Sequence, residues 1–174
     1  MSFRTILVPV EQHDLMRLGV EAQPTLRFVP IDFERETLTA GLDAGGVDSK
    51  AKAFFSWLGV TQYLTRDAVL KALREIVSTT IAGSGIAATF VVPASTLNRA
   101  ESELVAAHSA RGASIGEPWL SFFEPEEMIA LMEQAGFVNV SCLGPEDAAR
   151  TYLTDRQDGL RMPGYTRLIR GRVG

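Results

Sequence analysis

Short apolar runs alternate with longer amphipathic stretches along the chain. The runs at 26–31, 53–57 and 86–92 contain few polar residues, which is typical of parallel strands that are covered on both faces. Between the last two runs, the apolar residues of 65–81 recur at spacings of three and four, and this period predicts a helix with one buried face. Such alternation of strands and helices predicts an α/β fold with a mostly parallel sheet flanked by helices.

Capping residues and turn formers set the bounds of the other elements. Thr65 is the predicted N-cap of the helix over 65–81, and Pro125 opens a later helix that Gly136 ends. Gly112 is the predicted stop of the helix before that one. The remaining predicted elements are strands over 4–10, 138–142 and 165–173 and helices over 33–42, 97–111, 125–135 and 145–153.

Segment 27–64 places acidic and aromatic residues at the ends of two predicted strands. Asp32-Phe33 ends the first strand, Ser56-Trp57 ends the second, and Gly59 follows in a turn. The carboxyl ends of parallel strands meet at one edge of an open α/β sheet, where small ligands bind. A carboxylate at this edge suits the amino group of an adenine, and an aromatic ring suits its face.

This segment resembles the class I S-adenosylmethionine-dependent methyltransferases of the leucine carboxyl methyltransferase-like group. The resemblance continues through GSGIAATFVVP, GEPWLSFF and EPEEMIALMEQAGF to the C-terminal run LGPEDAARTYLTDRQDGLRMPGYTRLIRGRV, and it covers residues 20–173. It implies a class I methyltransferase, Rossmann-like sheet flanked by helices, with S-adenosyl-L-methionine as the cofactor. The implied reaction is O-methyl transfer to a carboxylate or hydroxyl of a small molecule.

Relative to this family the chain is truncated at the N-terminus, so residues 1–174 are expected to form a single but partial methyltransferase domain. The family's central first strand and its glycine-rich turn have no counterpart here. Gly83-Ser84-Gly85 follows a predicted helix and precedes a strand, the reverse of the order in a cofactor turn, and therefore predicts a helix stop and a turn. Leu58 stands where the family usually carries a glutamate, and a leucine cannot accept a hydrogen bond.

The resemblance implies contact residues on two sides of the sheet edge. The cofactor side comprises Asp32, Phe33, Ser56, Trp57 and Gly59, with Glu11 in place of the acid that holds the ribose hydroxyls. The acceptor side comprises Tyr63, Arg150 and Tyr152, with Glu117 and Trp119 at further matching positions. Structural alternatives exist for several of them, namely a helix-start charge for Asp32, core packing for Phe33 and Trp57, a solvated acid for Glu11, and salt bridges for Glu117 and Arg150. No residue is singled out as a catalytic base, because methyl transfer requires mainly positioning and the exclusion of water.

Loss of a central strand leaves backbone donors and acceptors beside a gap, and each buried unsatisfied group costs roughly 1–3 kcal/mol. The gap closes if strand 4–10 takes the central position, if the flanking strands pair directly, or if a second copy or an N-terminal segment completes the sheet. We expect strand 4–10 to lie next to 26–31. The alternatives to an active enzyme are a catalytically silent binding or dimerising module and the C-terminal part of a longer or split enzyme.

Composition adds limits but no function. A formal charge of −4 and a pI near 5.2 argue against nucleic acid or an anionic membrane as a partner, and the longest apolar run is about half of a membrane span. Cys142 is the only cysteine, which excludes an internal disulfide and favours a reducing, cytoplasmic location. His13 and His108 lack metal-ligand spacing, so we expect surface or loop histidines and no metal site. Arg170 and Arg172, two residues apart, predict one face of a solvated edge strand.

Overall fold

The computed structural model describes residues 6–7, 27–29, 36–48 and 50–174. The strands in these ranges are β1 (Ile6–Leu7), β2 (Arg27–Phe28), β3 (Phe54–Trp57), β4 (Gly85–Val91), β5 (Phe137–Leu143) and β6 (Thr166–Val173). The helices are α1 (Leu38–Ala44), α2 (Arg66–Thr79), α3 (Arg99–Ser114), α4 (Pro125–Ala135) and α5 (Pro145–Tyr152). This order of elements confirms the predicted α/β class.

Four strands form one sheet in the order β3-β4-β6-β5. β3 and β4 are parallel, with Trp57 opposite Ala88. β6 is antiparallel to both of its neighbours, so β3, β4 and β5 point the same way and their carboxyl ends share one edge. The prediction of an edge strand for Arg170 and Arg172 is wrong, because β6 lies between two strands and its exposed arginines stand on a face of the sheet.

β1 and β2 form a separate parallel pair. Ile6 lies opposite Arg27 and Leu7 opposite Phe28, which confirms the expected neighbourhood of segments 4–10 and 26–31. Among the described residues, neither strand pairs with the four-stranded sheet.

Local sequence signals set the start of α2 and both ends of α4. The Thr65 hydroxyl accepts from the backbone N–H of Ala68, which caps α2 as predicted. α4 starts with Pro125 at its first turn, and Gly136 follows its end with a φ of 107°, a left-handed conformation that favours glycine. The predicted starts of both helices, and the end of α4, are therefore confirmed.

The hydrophobic core lies between these two helices and one face of the sheet. β4 directs Ile86 and Phe90 into it, α2 contributes Leu73 and α4 contributes Met132, and each of these side chains is at most 1% exposed. Full burial of side chains of this size contributes roughly 1.5–3 kcal/mol each relative to exposure. The core thus fixes β3 and β4, whose carboxyl ends were predicted to carry the site.

Several predicted boundaries are wrong. Residues 33–35 of the helix predicted over 33–42 lie outside the described residues; in the described part α1 runs over Leu38–Ala44, because the Thr37 side chain accepts from the N–H of Ala40 and caps the helix there. The helix predicted to end near Gly112 ends two residues later, at Ser114. Gly83 does form a turn, with a φ of 82°, but Gly85 is the first residue of β4.

The strand predicted over 138–142 is observed as β5, but it is irregular. The register of β5 against β6 shifts between Val138 and Ser141, and Asn139 has a φ of 53°, as in a β-bulge. Val138 is consequently 46% exposed instead of buried.

Candidate functional site at the carboxyl edge of the sheet

The turn that follows β3 is held rigidly against β4. Gly59 has a φ of 71°, and its backbone N–H donates to the Thr89 hydroxyl at 2.7 Å. The Thr61 hydroxyl donates to the Thr89 carbonyl at 2.9 Å, and the Gln62 amide donates to the Gly59 carbonyl at 3.0 Å. These bonds fix the backbone conformation of a turn that was predicted to contact the cofactor.

Side chains of this turn differ in what they can offer to a ligand. Trp57 is 8% exposed and belongs to the core, which matches core packing, the alternative considered for it above. Ser56 is exposed. Leu58 is 54% exposed and presents no polar atom. A Cβ added at Gly59 would meet no atom within 4 Å, so the backbone at this position is open to a ligand.

Residues 117–123 run beside the same turn. The N–H of Leu120 donates to the Gln62 carbonyl at 2.6 Å, and the buried Ser121 hydroxyl donates to the Thr61 carbonyl at 2.8 Å. The N–H of Phe123 donates to the carbonyl of Val91, the last residue of β4, at 3.0 Å. The segment therefore covers the ends of β3 and β4.

Arg66, the first residue of α2, anchors this segment. Its guanidinium donates to the Phe122 carbonyl at 2.5 Å, pairs with the Glu127 carboxylate, and lies 4.6 Å from the centre of the Phe123 ring. The hydrogen bond from Arg66 lowers the pKa of Glu127. The anchor joins the amino ends of α2 and α4 to the edge of the sheet.

Trp119 of segment 117–123 and two aromatic rings from other elements form a cluster. The centroid distances are 6.2 Å between His108 and Trp119, 5.8 Å between His108 and Tyr165, and 6.3 Å between Trp119 and Tyr165. The Tyr165 hydroxyl lies 3.1 Å from Nδ1 of His108, and burial raises the pKa of Tyr165. We call these three residues the aromatic cluster.

The close approach of α3 to segment 117–123 depends on Gly112. The N–H of Glu117 donates to the Gly112 carbonyl at 2.8 Å, and a Cβ on Gly112 would lie 2.4 Å from the Glu117 carbonyl oxygen. The same Cβ would lie 3.7 Å from Cδ1 of Trp119. Glu117 itself is exposed.

The other predicted acceptor residues lie farther along the same edge. Tyr63 is 37% exposed and belongs to the turn after β3. Arg150 and Tyr152 are exposed on α5, which follows β5, separated from β4 by β6. Arg150 pairs with Asp147 within this helix at 2.5 Å, the structural role that was its alternative.

The predicted cofactor residues Glu11, Asp32 and Phe33 lie outside the described residues. Their contacts with a cofactor stay predictions, as do those of Ser56 and Gly59. Within the described ranges, no group of three or more potential ligands is placed to hold a metal ion. No helix in that part of the chain is long and apolar enough to cross a membrane.

Two residues of the aromatic cluster were missed by sequence reasoning. His108 was expected on the surface or in a loop, and it is exposed on α3, but its bond to Tyr165, 57 residues away, was not predicted. Tyr165 was predicted only as the first residue of the last strand, with no contact assigned to it. No local pattern links residues so far apart, and only the resemblance at Trp119 pointed toward this region.

The described architecture is that of a class I methyltransferase. A candidate methyltransferase from Thermobifida fusca aligns with 98% of this chain and 63% of its own length, with a TM-score of 0.67 and 20% identity. Human N-acetylserotonin methyltransferase, solved in complex with S-adenosylmethionine, aligns with 96% of this chain and 39% of its own length, with a TM-score of 0.56 and 14% identity. These likenesses establish the fold.

Sequence comparison supplies the family. Residues 8–77 match the model of the leucine carboxyl methyltransferase family. YktD of Bacillus subtilis strain 168, a candidate S-adenosyl-L-methionine-dependent methyltransferase, is 32% identical over 141 residues, which are 78% of this chain and 44% of YktD. The chain belongs to this methyltransferase family, as the resemblance implied. It spans less than half the length of YktD.

Proposed function

We propose that the chain provides the ligand-binding edge of an S-adenosyl-L-methionine-dependent O-methyltransferase. The observation that carries the proposal is the turn after β3, whose Gly59 backbone is open to a ligand and bonded to Thr89. When bound, the cofactor supplies a methyl group on a sulfonium. The chain's part is to hold cofactor and acceptor in line and to exclude water.

The contact residues are assigned as the family resemblance implies. Asp32 and Phe33 hold the adenine and Glu11 the ribose, while the backbone and side chains of 56–59 line the other side of the cofactor. The acceptor is a small molecule that carries a carboxylate or a hydroxyl, contacted by Tyr63, Arg150 and Tyr152. Engagement of Arg150 by such an acceptor requires release of its bond to Asp147.

Two further parts of the proposal concern the partner of β3 and the compartment in which the protein works. A second copy of the chain pairs with β3, which among the described strands pairs only with β4. The protein works in the reducing cytoplasm, where its single cysteine stays a thiol.

Calorimetric titration with S-adenosylhomocysteine tests the cofactor site without turnover. We expect saturable heat with a Kd tighter than about 1 mM, equivalent to about −4 kcal/mol. Gly59→Ala should weaken this binding at least tenfold, because an L-residue at positive φ strains the turn.

Gly159→Ala is the matched control. Gly159 also has a φ of 71°, and a Cβ there likewise meets nothing within 4 Å, but it lies in the loop between α5 and β6. Equal loss of affinity in both variants would show that strain, not the position at the sheet edge, weakens binding. Absence of heat with the wild-type protein at 1 mM ligand would refute the cofactor site.

A further inference from the structure

The aromatic cluster has the composition of a binding site rather than of a core. His108 is exposed, and Trp119 and Tyr165 are half-buried. The interplanar angles of the three ring pairs are 50°, 69° and 48°, the tilted arrangement that aromatic pairs favour at centroid distances of about 4.5–7 Å. Nε2 of His108 makes no hydrogen bond to any described residue, so one polar atom of the cluster is open to a ligand.

The cluster is joined to the ends of the strands that carry the proposed cofactor edge. The Tyr165 carbonyl accepts from the N–H of Val92, the residue directly after β4, at 2.9 Å. Trp119 precedes Leu120, whose N–H bonds to Gln62 in the turn after β3. Backbone hydrogen bonds therefore connect the cluster to the end of β4 and to the turn after β3.

We propose that the aromatic cluster is the acceptor site for a phenolic compound, and that Nε2 of His108 takes the proton of the phenol hydroxyl. This inference rests on the proposed methyltransferase function and narrows its acceptor. The acceptor ring packs against Trp119. Tyr165 acts as a positioning residue, because its hydroxyl oxygen accepts from Nδ1–H of His108 and leaves the lone pair of Nε2 free for the substrate.

The proton transfer balances within the site. The O–H bond of the phenol breaks, its electron pair stays on oxygen, and the proton forms an N–H bond at Nε2. The resulting imidazolium keeps its Nδ1–H bond to Tyr165, and its ring centroid lies 6.2 Å from that of Trp119. Burial raises the pKa of Tyr165, so its hydroxyl stays neutral beside the base. The phenolate is the nucleophile that O-methyl transfer requires.

The chemistry of the cluster favours a phenol over a carboxylate. A carboxylate is ionised at neutral pH and requires a cation or several donors, whereas none of the three side chains of the cluster is a lysine or an arginine. A phenol supplies both an apolar ring and a single O–H donor, which match Trp119 and His108.

The probes are 4-cresol and 4-methylbenzoate, which share a ring and methyl group but differ in the polar group. Binding is measured first without cofactor, by the shifts of the His108 ring protons in NMR spectra. The chain has two histidines, so the spectrum of His108→Gln identifies the signals. We expect 4-cresol to shift the His108 signals and 4-methylbenzoate to bind at least tenfold more weakly.

Variants separate a binding role from a structural one. Trp119→Ala should weaken 4-cresol binding at least tenfold, and Trp119→Phe, which keeps a ring, should retain most of it. Glu103→Gln is the control on α3, since 3.6 residues per turn place Glu103 about 140° around the helix from His108, and it should bind as the wild type does. Ligand-observed NMR measures these affinities.

Turnover then tests the base. His108→Gln should lower methylation of 4-cresol by about 10²- to 10⁴-fold with S-adenosylhomocysteine affinity unchanged. Preference for 4-methylbenzoate, equal binding of 4-cresol to Trp119→Ala, or unchanged turnover of 4-cresol in His108→Gln would each overturn the inference. S-adenosylhomocysteine binding without 4-cresol binding would reject the acceptor site alone, while loss of cofactor binding alone would reject the proposed function.

Discussion

Replacement of Gly112 by alanine has two opposite effects on stability, one from helix propensity and one from packing. Gly112 is buried in the last turns of α3, where propensity alone would make alanine more favourable by about 0.8–1.0 kcal/mol. The added methyl would lie 2.4 Å from the Glu117 carbonyl oxygen, about 1 Å short of an ordinary contact. This oxygen belongs to the backbone and cannot rotate away as the end of a side chain can.

Relief of this contact requires movement of segment 117–119 away from the helix. Such overpacking costs about 1–3 kcal/mol, and loss of the 2.8 Å bond from Glu117 N–H to Gly112 adds about 0.5–1.5 kcal/mol. The sum exceeds the gain in propensity, so we expect Gly112→Ala to destabilise the protein by roughly 1–3 kcal/mol. Trp119 should also shift, since its Cδ1 lies 3.7 Å from the new methyl.

Urea denaturation followed by tryptophan fluorescence and by circular dichroism measures this effect. Ala107→Gly, at an exposed position of the same helix, is the control for propensity and should cost about 0.5–1 kcal/mol. Our reasoning requires both variants to be less stable than the wild type, although one adds the methyl group that the other removes. A Gly112→Ala protein as stable as the wild type, with unchanged Trp119 emission, would refute it.

Two further predictions concern side chains that fix the site. Thr89→Val should cost about 0.5–1.5 kcal/mol and weaken S-adenosylhomocysteine binding, because the N–H of Gly59 loses its acceptor; Thr89→Ser should restore both in denaturation and calorimetry. The pKa of Glu127 is lowered by Arg66, so this pair stabilises the fold above the ordinary carboxyl pKa and its contribution is lost as the pH falls through the lowered value. Arg66→Gln should therefore lower the free energy of unfolding more at pH 7 than at low pH, because the bond to the Phe122 carbonyl and the contact with the Phe123 ring are lost at both pH values. The pH-dependent part should be less than about 1 kcal/mol, since both side chains are about half exposed; an equal loss at both pH values would contradict the pairing.

Elements whose ends are set by local chemistry could be predicted from the sequence. α2 has an N-cap at Thr65 and an apolar face of period 3.6, and α4 lies between Pro125 and Gly136. Both signals act within a few residues and compete with no tertiary contact. The strand predicted to end at Trp57 ends there, and the strand predicted over 86–92 ends one residue earlier, at Val91; turn formers follow each end within two residues.

Features that arise from distant contacts could not be predicted. Gly112 was predicted only as a signal for the nearby end of α3, but the carbonyl of Glu117 occupies the space that a side chain would need, so glycine also serves packing inside the helix. Asn139 adopts a positive φ within β5 because the register against β6 shifts there. His108 and Tyr165 meet only once α3 and β6 are in place.

The two halves of the proposed site depend on different parts of the fold. The turn at Gly59 and the aromatic cluster are held by bonds within the four-stranded sheet and its covering segment, through Thr89 and Gln62. The residues proposed to hold the adenine and the ribose instead follow β1 and β2 in the sequence. These two strands pair only with each other among the described strands. Phenol binding should therefore survive any change in how the two sheets lie together, whereas cofactor affinity should not. A protein that binds 4-cresol but not S-adenosylhomocysteine would accordingly keep the proposed acceptor site and lose the proposed cofactor site.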